Sequence, residues 1–283
     1  MNPSIETIDF HGIEALRLTA GDGSTAVVSR LGAQVLSWRT ADTIERLFLS
    51  DKAQFDGSRS IRGGIPVCFP QFSGLGELPK HGLLRTRLWA VSEQACRDGS
   101  AMVCLAIDDD AETRAQWPHA FHAELTVVLD AGRLDVELAV DNTGDSPFRF
   151  TGALHSYLRV KEVENVHLRG LSGIEFRDAA KGDHVRRERG ESLTIDDEVD
   201  RVYHDVAKPL LLSEGGSNLG IHAEGFPDVV VWNPWVERCA ELPDMERLDF
   251  RRMLCVEAAV AKTPVMVRAG EEWFGRQTLV ALG

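Results

Sequence analysis

Apolar and polar residues alternate along this chain with a period of two far more often than they recur with the period of a helix. Leu134, Val136, Leu138 and Val140 alternate with Asp135, Glu137 and Ala139, and an Asp130-Ala131-Gly132 turn joins them to the run at 121–129. That is the signature of a hairpin. Further strand-like runs fall at 25–29, 31–39, 101–107, 148–160, 228–233, 252–258, 264–268 and 273–282, separated by turn clusters such as DNTGDSP and SEGGSNLG. Only 236–252 and 108–116 suggest short helices, and Pro243 interrupts the first. The pattern predicts a mainly β fold, one large antiparallel β-sandwich with a few short helices. No linker, low-complexity stretch or internal repeat divides residues 1–283, so a single domain is expected.

Within that sandwich two strands carry titratable residues that alternation makes conspicuous. In FTGALHSYLRV, residues Thr151, Ala153, His155, Tyr157 and Arg159 share one face, which puts His155 on a polar face beside Tyr157. In RRMLCVEAAV, Met253, Cys255 and Glu257 share a face, and a glutamate in so apolar a strand is unusual. A strand histidine is commonly structural, and a strand glutamate commonly solvated. Glu257, with Met253 and Cys255 for neighbours, reads instead as covered, and a covered carboxyl needs a partner or a raised pKa. A general base working near neutral pH needs that environment.

Composition narrows the classes. The net charge of −13 and a pI near 5.2 argue against nucleic acid or an anionic membrane surface as partner. The opening MNPSIETIDFHG lacks the basic and apolar regions of a signal peptide, and no apolar run is long enough to span a membrane, so a cytoplasmic protein is expected. Five widely spaced cysteines without a C-x-x-C pair read as buried free thiols. There is no G-x-S-x-G elbow, Walker loop or H-E-x-x-H. His119 and His122, three apart on the approach to a strand, would fall on opposite faces and are not expected to ligate a metal.

Against this acidic background the segment 62–87 is locally basic, with Arg62, Lys80, Arg85 and Arg87 against Glu77. Its sequence, RGGIPVCFPQF and then LPKHGLLR, together with TGALHSYLRV, EVDRVYHD, DVVVWNPW and MLCVEAA in this order, resembles the hexose-6-phosphate mutarotases (glucose-6-phosphate 1-epimerases) of the aldose 1-epimerase superfamily. The resemblance implies a β-supersandwich with an open cleft, no cofactor and no metal, and exchange of the α and β anomers of a hexose 6-phosphate. It also implies His155 and Glu257 as catalytic pair and Arg62, Arg85 and Asp200 as substrate-binding.

Mutarotation moves one proton off the C1 hydroxyl while another reaches the ring oxygen, so one base and one acid suffice. The expected roles are Glu257 as base toward O1 and protonated His155 as acid toward O5. Arg62 and Arg85 offer forked donors for phosphate, and Gly63 and Gly64 would let backbone approach closely. Three features depart from the family pattern: Lys80 stands before HG, Leu83-Leu84 follow it, and Ser73 follows FPQF. Lys80 adds a third cation, and His81 is either a sugar contact or a loop histidine bonded to backbone. Two other readings are an epimerase of free hexoses and a non-catalytic carbohydrate-binding β-domain.

Overall fold

A computed structural model describes residues 1–282, whose strands pair antiparallel into sheets of four, eight and nine strands. The expected hairpin forms from His122–Asp130 and Arg133–Asp141, with Leu129 opposite Leu134 and Gly132 turning at φ +62°. Both strands alternate buried and half-buried positions, which is why they read so clearly. They lie in the nine-stranded sheet beside Glu272–Leu282. The α-helices among the described residues are Ala111–Gln116, capped by Asp110 and Thr113, and Trp235–Glu241, which ends before Pro243.

The eight-stranded sheet runs from His184–Arg187 through Glu175–Asp178, Val199–Tyr203, Asp228–Asn233, Met253–Val267 and Phe148–Leu154 to Val67–Cys68. Tyr157–Arg159 also pairs with Met253–Val267. Alternation divides its two faces. Val229, Val231, Leu254, Val256 and Ala258 join the main hydrophobic core, which extends from Leu16 to Leu279. Cys68, Phe72, Ala153, Val202, Val230 and Ala259 form a second cluster on the other face. A polar bridge crosses the main core: Ser156 Oγ donates to Gln277 Oε1, and Gln277 Nε2 donates to the Val256 carbonyl at 3.0 Å. That bridge ties the Glu257 strand and the break at His155–Ser156 to the nine-stranded sheet.

Several boundaries differ from the sequence reading. The 148–160 run breaks at His155–Ser156, where the His155 N–H turns to the Pro66 carbonyl and the Tyr157 N–H to the Gly64 carbonyl. The 31–39 run forms a strand only over Val35–Arg39, because Gly32 and Ala33 adopt positive φ. The two runs 252–258 and 264–268 are one strand, Met253–Val267. Cys96 is exposed, while the other four thiols are buried as expected.

Candidate active site

The segment after Arg62 is threaded between strands by backbone bonds. Gly64 donates to Phe48 O at 2.7 Å, Ile65 to Val35 O, and Tyr157 to Gly64 O. A Cβ on Gly64 would stand 2.1 Å from the Val35 carbonyl, so only glycine fits there. The close approach expected of Gly63 and Gly64 is therefore to neighbouring backbone rather than to an anion. Further on, Leu83 donates to Phe69 O and His81 to Ser73 O, which folds the segment back on itself. Its two ends meet over the outer face of the eight-stranded sheet.

The meeting forms a cleft of about 470 Å³, within the range of small-molecule sites. All seven residues named from sequence line it: Arg62, Lys80, His81, Arg85, His155, Asp200 and Glu257. At its floor His155 Nε2 lies 3.4 Å from Glu257 Oε1. Glu257 is 1% exposed and His155 8%. The polar, outward face expected for His155 is in fact the covered floor of the cleft, where its ring stacks on Tyr157 with centroids 4.8 Å apart and an 11° angle.

Electrostatics follow from that cover. Burial, reinforced by the Asp200 carboxylate and opposed by Lys80, pushes the Glu257 carboxyl well above its usual range. Burial, reinforced by His81, Arg85 and Arg62, holds His155 well below its usual range. Burial thus shifts the free cleft toward a carboxylic acid beside a neutral imidazole, whereas the sequence reading took the carboxylate and imidazolium. Both forms carry one proton in total and differ in which of the two groups holds it.

The cations at the mouth differ in how they are held. Arg62 donates to Tyr157 Oη at 2.9 Å and pairs with buried Asp244 at 3.2 Å. Burial works against its charge, and these partners outweigh it, raising the pKa further above its ordinary value. Arg85 donates to the Lys80 carbonyl at 2.6 Å, and its Nε is buried without a partner among the described residues. Lys80 is exposed at the rim. His81 is buried at φ +67°, its Nδ1 accepting from the Ser73 N–H at 3.3 Å with the Cys68 thiol 3.2 Å away. Burial, with Arg85 and Lys80 nearby, pushes His81 down to about 2, so it stays neutral. With Nδ1 accepting, its Nε2 carries the proton and is a donor. Asp200 is raised above the ordinary carboxylate value by burial.

Sequence reasoning did not name Trp232, Arg177, Asp183, Glu198 or Arg238, which also line the cleft, and gave Tyr157 no role. Trp232 ends a uniformly apolar run whose faces alternation does not distinguish; Tyr157, two residues from His155, was legible by spacing. His155, Cys255 and Glu257 each bring a potential metal-ligand atom within 4.8 Å of the others. They would chelate a soft divalent ion only after the thiol lost its proton, and burial pushes Cys255 well above its ordinary value. Of the two histidines weighed as a metal pair from sequence, His122 turns to Asp108 and Glu124, and His119 to Trp117.

Comparison with known proteins matches the aldose 1-epimerase family model over residues 14–279. A Cenchrus ciliaris protein provisionally named a glucose-6-phosphate 1-epimerase is 34% identical over 96% of this chain and 85% of its own. An Escherichia coli K12 protein of the same provisional name is 30% identical, over 81% of this chain and 78% of its own. Among solved structures, a protein from Salmonella typhimurium provisionally named a mutarotase superposes with a TM-score of 0.91 at 24% identity, covering 98% of this chain and 93% of its own. The galactose 1-epimerase of Lactobacillus acidophilus shares the fold at a TM-score of 0.75 and 14% identity, covering 99% of each chain.

Proposed function

The chain belongs to the aldose 1-epimerase family of isomerases, and from that premise we propose that it interconverts the α and β anomers of a hexose 6-phosphate, glucose 6-phosphate foremost. The observation that carries the reading is the buried Glu257–His155 contact of 3.4 Å beneath a mouth lined by Arg62, Lys80 and Arg85. A hexose chain places the 6-phosphate only a few bonds from the ring oxygen. A phosphate on the arginines therefore sets O5 and O1 near the acid–base pair.

Glu257 as carboxylate takes the O1 proton while His155 as imidazolium gives one to O5, and the ring bond breaks to leave the open aldehyde. Rotation about C1–C2 presents the other face. Closure runs the two transfers in reverse and restores both groups.

The substrate itself favours the charged form of the pair. Arg62 and Arg85 help depress the imidazole, and a dianion bound between them offsets that influence. Neutral His81 and half-buried Asp200 supply hydrogen bonds for sugar hydroxyls, and Lys80 adds charge at the rim. We read residues 1–283 as one domain, since strands from all three sheets feed the main core, and we place the enzyme in the cytoplasm with its substrate. No described helix is long and apolar enough to cross a membrane.

Polarimetry of freshly dissolved α-glucose 6-phosphate tests the reading. Relaxation to the anomeric equilibrium should quicken in proportion to enzyme concentration, and far less so for glucose. Equal acceleration of both sugars would favour an epimerase of free hexoses, and none at all a binding domain.

A further inference from the structure

We propose that Tyr157 is a positioning residue that holds both the phosphate-binding Arg62, through its hydroxyl, and the imidazole of His155, through its ring face. The inference rests on the mutarotase reading and adds to it a link between the anchoring group and the reacting one.

The backbone of Tyr157 is fixed on both sides. Its N–H donates to Gly64 O at 2.8 Å, its carbonyl accepts from Phe48 N–H at 2.9 Å, and it stands opposite Cys255 on the glutamate-bearing strand. The side chain is 3% exposed, held edge-on by Trp232 at 6.1 Å. From that fixed base the ring serves two neighbours. Its face lies against His155, and its hydroxyl accepts from Arg62 Nη1.

His155 needs such support. In many acid–base sites the second ring nitrogen is hydrogen-bonded and so orients the imidazole. Here Nδ1 is buried with no hydrogen-bond partner among the described residues. Beyond the Nε2 contact with Glu257, its orientation rests on ring contacts: Tyr157 face to face, His81 and Trp232 edge-on at 5.3 and 6.2 Å. The electron-rich face of the phenol also supports the imidazolium form, as a cation on an aromatic ring is supported. Arg62 needs support of another kind. Asp244 holds one arm but offsets its charge, whereas the phenol holds the other arm without adding charge. A phosphate that draws on Arg62 thus acts on a side chain tied to the ring beneath the acid.

Two variants separate the two contacts. Tyr157→Phe keeps the stack and loses the hydroxyl, so in anomer-exchange kinetics KM for glucose 6-phosphate should rise about tenfold with kcat within about twofold, the loss of one hydrogen bond to a charged group. KM for glucose should not change. Tyr157→Leu loses the stack, and kcat should fall at least about tenfold on both sugars, as for a misoriented acid. A purely structural tyrosine would give both variants lower melting temperatures without this split. An unchanged KM in the Phe variant, or an unchanged kcat in the Leu variant, would overturn the proposal.

If the wild type exchanged no sugar, the mutarotase reading would fall by itself, and the Tyr157 link would still be measurable. Calorimetry with inorganic phosphate should then show weaker binding to Tyr157→Phe than to wild type. The 15N imidazole signals of His155 should stay sharp in the Phe variant and broaden in the Leu variant. Equal phosphate affinity with unchanged signals would refute the link.

Discussion

Nε2 of His155 meets Oε1 of Glu257 at 3.4 Å because the register of the sheet sets Leu154 opposite Ala258 and Tyr157 opposite Cys255. The break between those two pairings leaves His155 free to turn its ring over the floor of the cleft while its N–H bonds to Pro66. Burial of both groups then disfavours charge on either, and the consequences are measurable.

The pair should lower stability, in a way that depends on pH. Glu257 is held above 4.5, so the folded chain keeps a proton that the unfolded chain loses as pH rises through 4.5. Stability falls from there upward, until the folded carboxyl ionises. The melting temperature of Glu257→Gln relative to wild type should therefore climb between about pH 4 and pH 8. His155 is held below 6.5, so the unfolded chain takes up a proton that the folded chain refuses as pH falls through 6.5, and His155→Asn should gain on the acid side. Melting curves across that range would contradict the account if the Gln variant lost ground as pH rose.

The two arginines should not be equivalent. Arg62→Ala leaves Asp244 buried without its ion-pair partner and should cost about 3 kcal/mol, the low end for a broken buried pair since Arg62 is 22% exposed. Arg85 has no carboxylate partner among the described residues, and Arg85→Ala should leave the melting temperature nearly unchanged. Both should raise KM for the phosphate ester by about tenfold or more. Denaturation and saturation curves on the same preparations separate the two effects.

If phosphate binding favours the charged form of the pair, a detached dianion should do so too. Phosphite added to a glucose exchange assay should accelerate exchange roughly tenfold at saturation, and Arg85→Ala should abolish the effect. An unchanged rate would mean that phosphate only binds.

Gly64→Ala should disrupt the fold, because φ is +61° and the new Cβ would stand 2.1 Å from the Val35 carbonyl. A loss of at least about 3 kcal/mol, seen as a large drop in melting temperature or in soluble yield, is expected. A normal melting temperature would contradict that packing.

Alternation made the candidates His155 and Glu257 legible, the first on a polar face and the second in an apolar strand; Arg62 and Arg85 stood out by local charge but took a role only from the family's motifs, as did Asp200. Elsewhere periodicity misled for physical reasons. Residues 259–263 fall between two strand-like runs of the sequence, yet Lys262–Pro264 lies in a bulge of one strand, where the register with Phe148–Leu154 shifts between Phe150 and Gly152. There the N–H groups of Ala261 and Lys262 donate to Asp228, and the proline removes no ladder bond. The Ser4–Phe10 strand escaped notice because it has no fully buried position, so its faces contrast weakly. The short strands from His167–Arg169 to Ser192–Leu193 are too brief for any period to register.

The central claim is that Glu257 and His155 exchange protons with a sugar phosphate at C1 and O5. Exchange NMR on equilibrated glucose 6-phosphate, comparing wild type with Glu257→Gln, tests it most directly. The account predicts α-to-β exchange well above buffer for wild type and a loss of about a hundredfold or more in the folded Gln variant. Exchange at the wild-type rate in Glu257→Gln would contradict it.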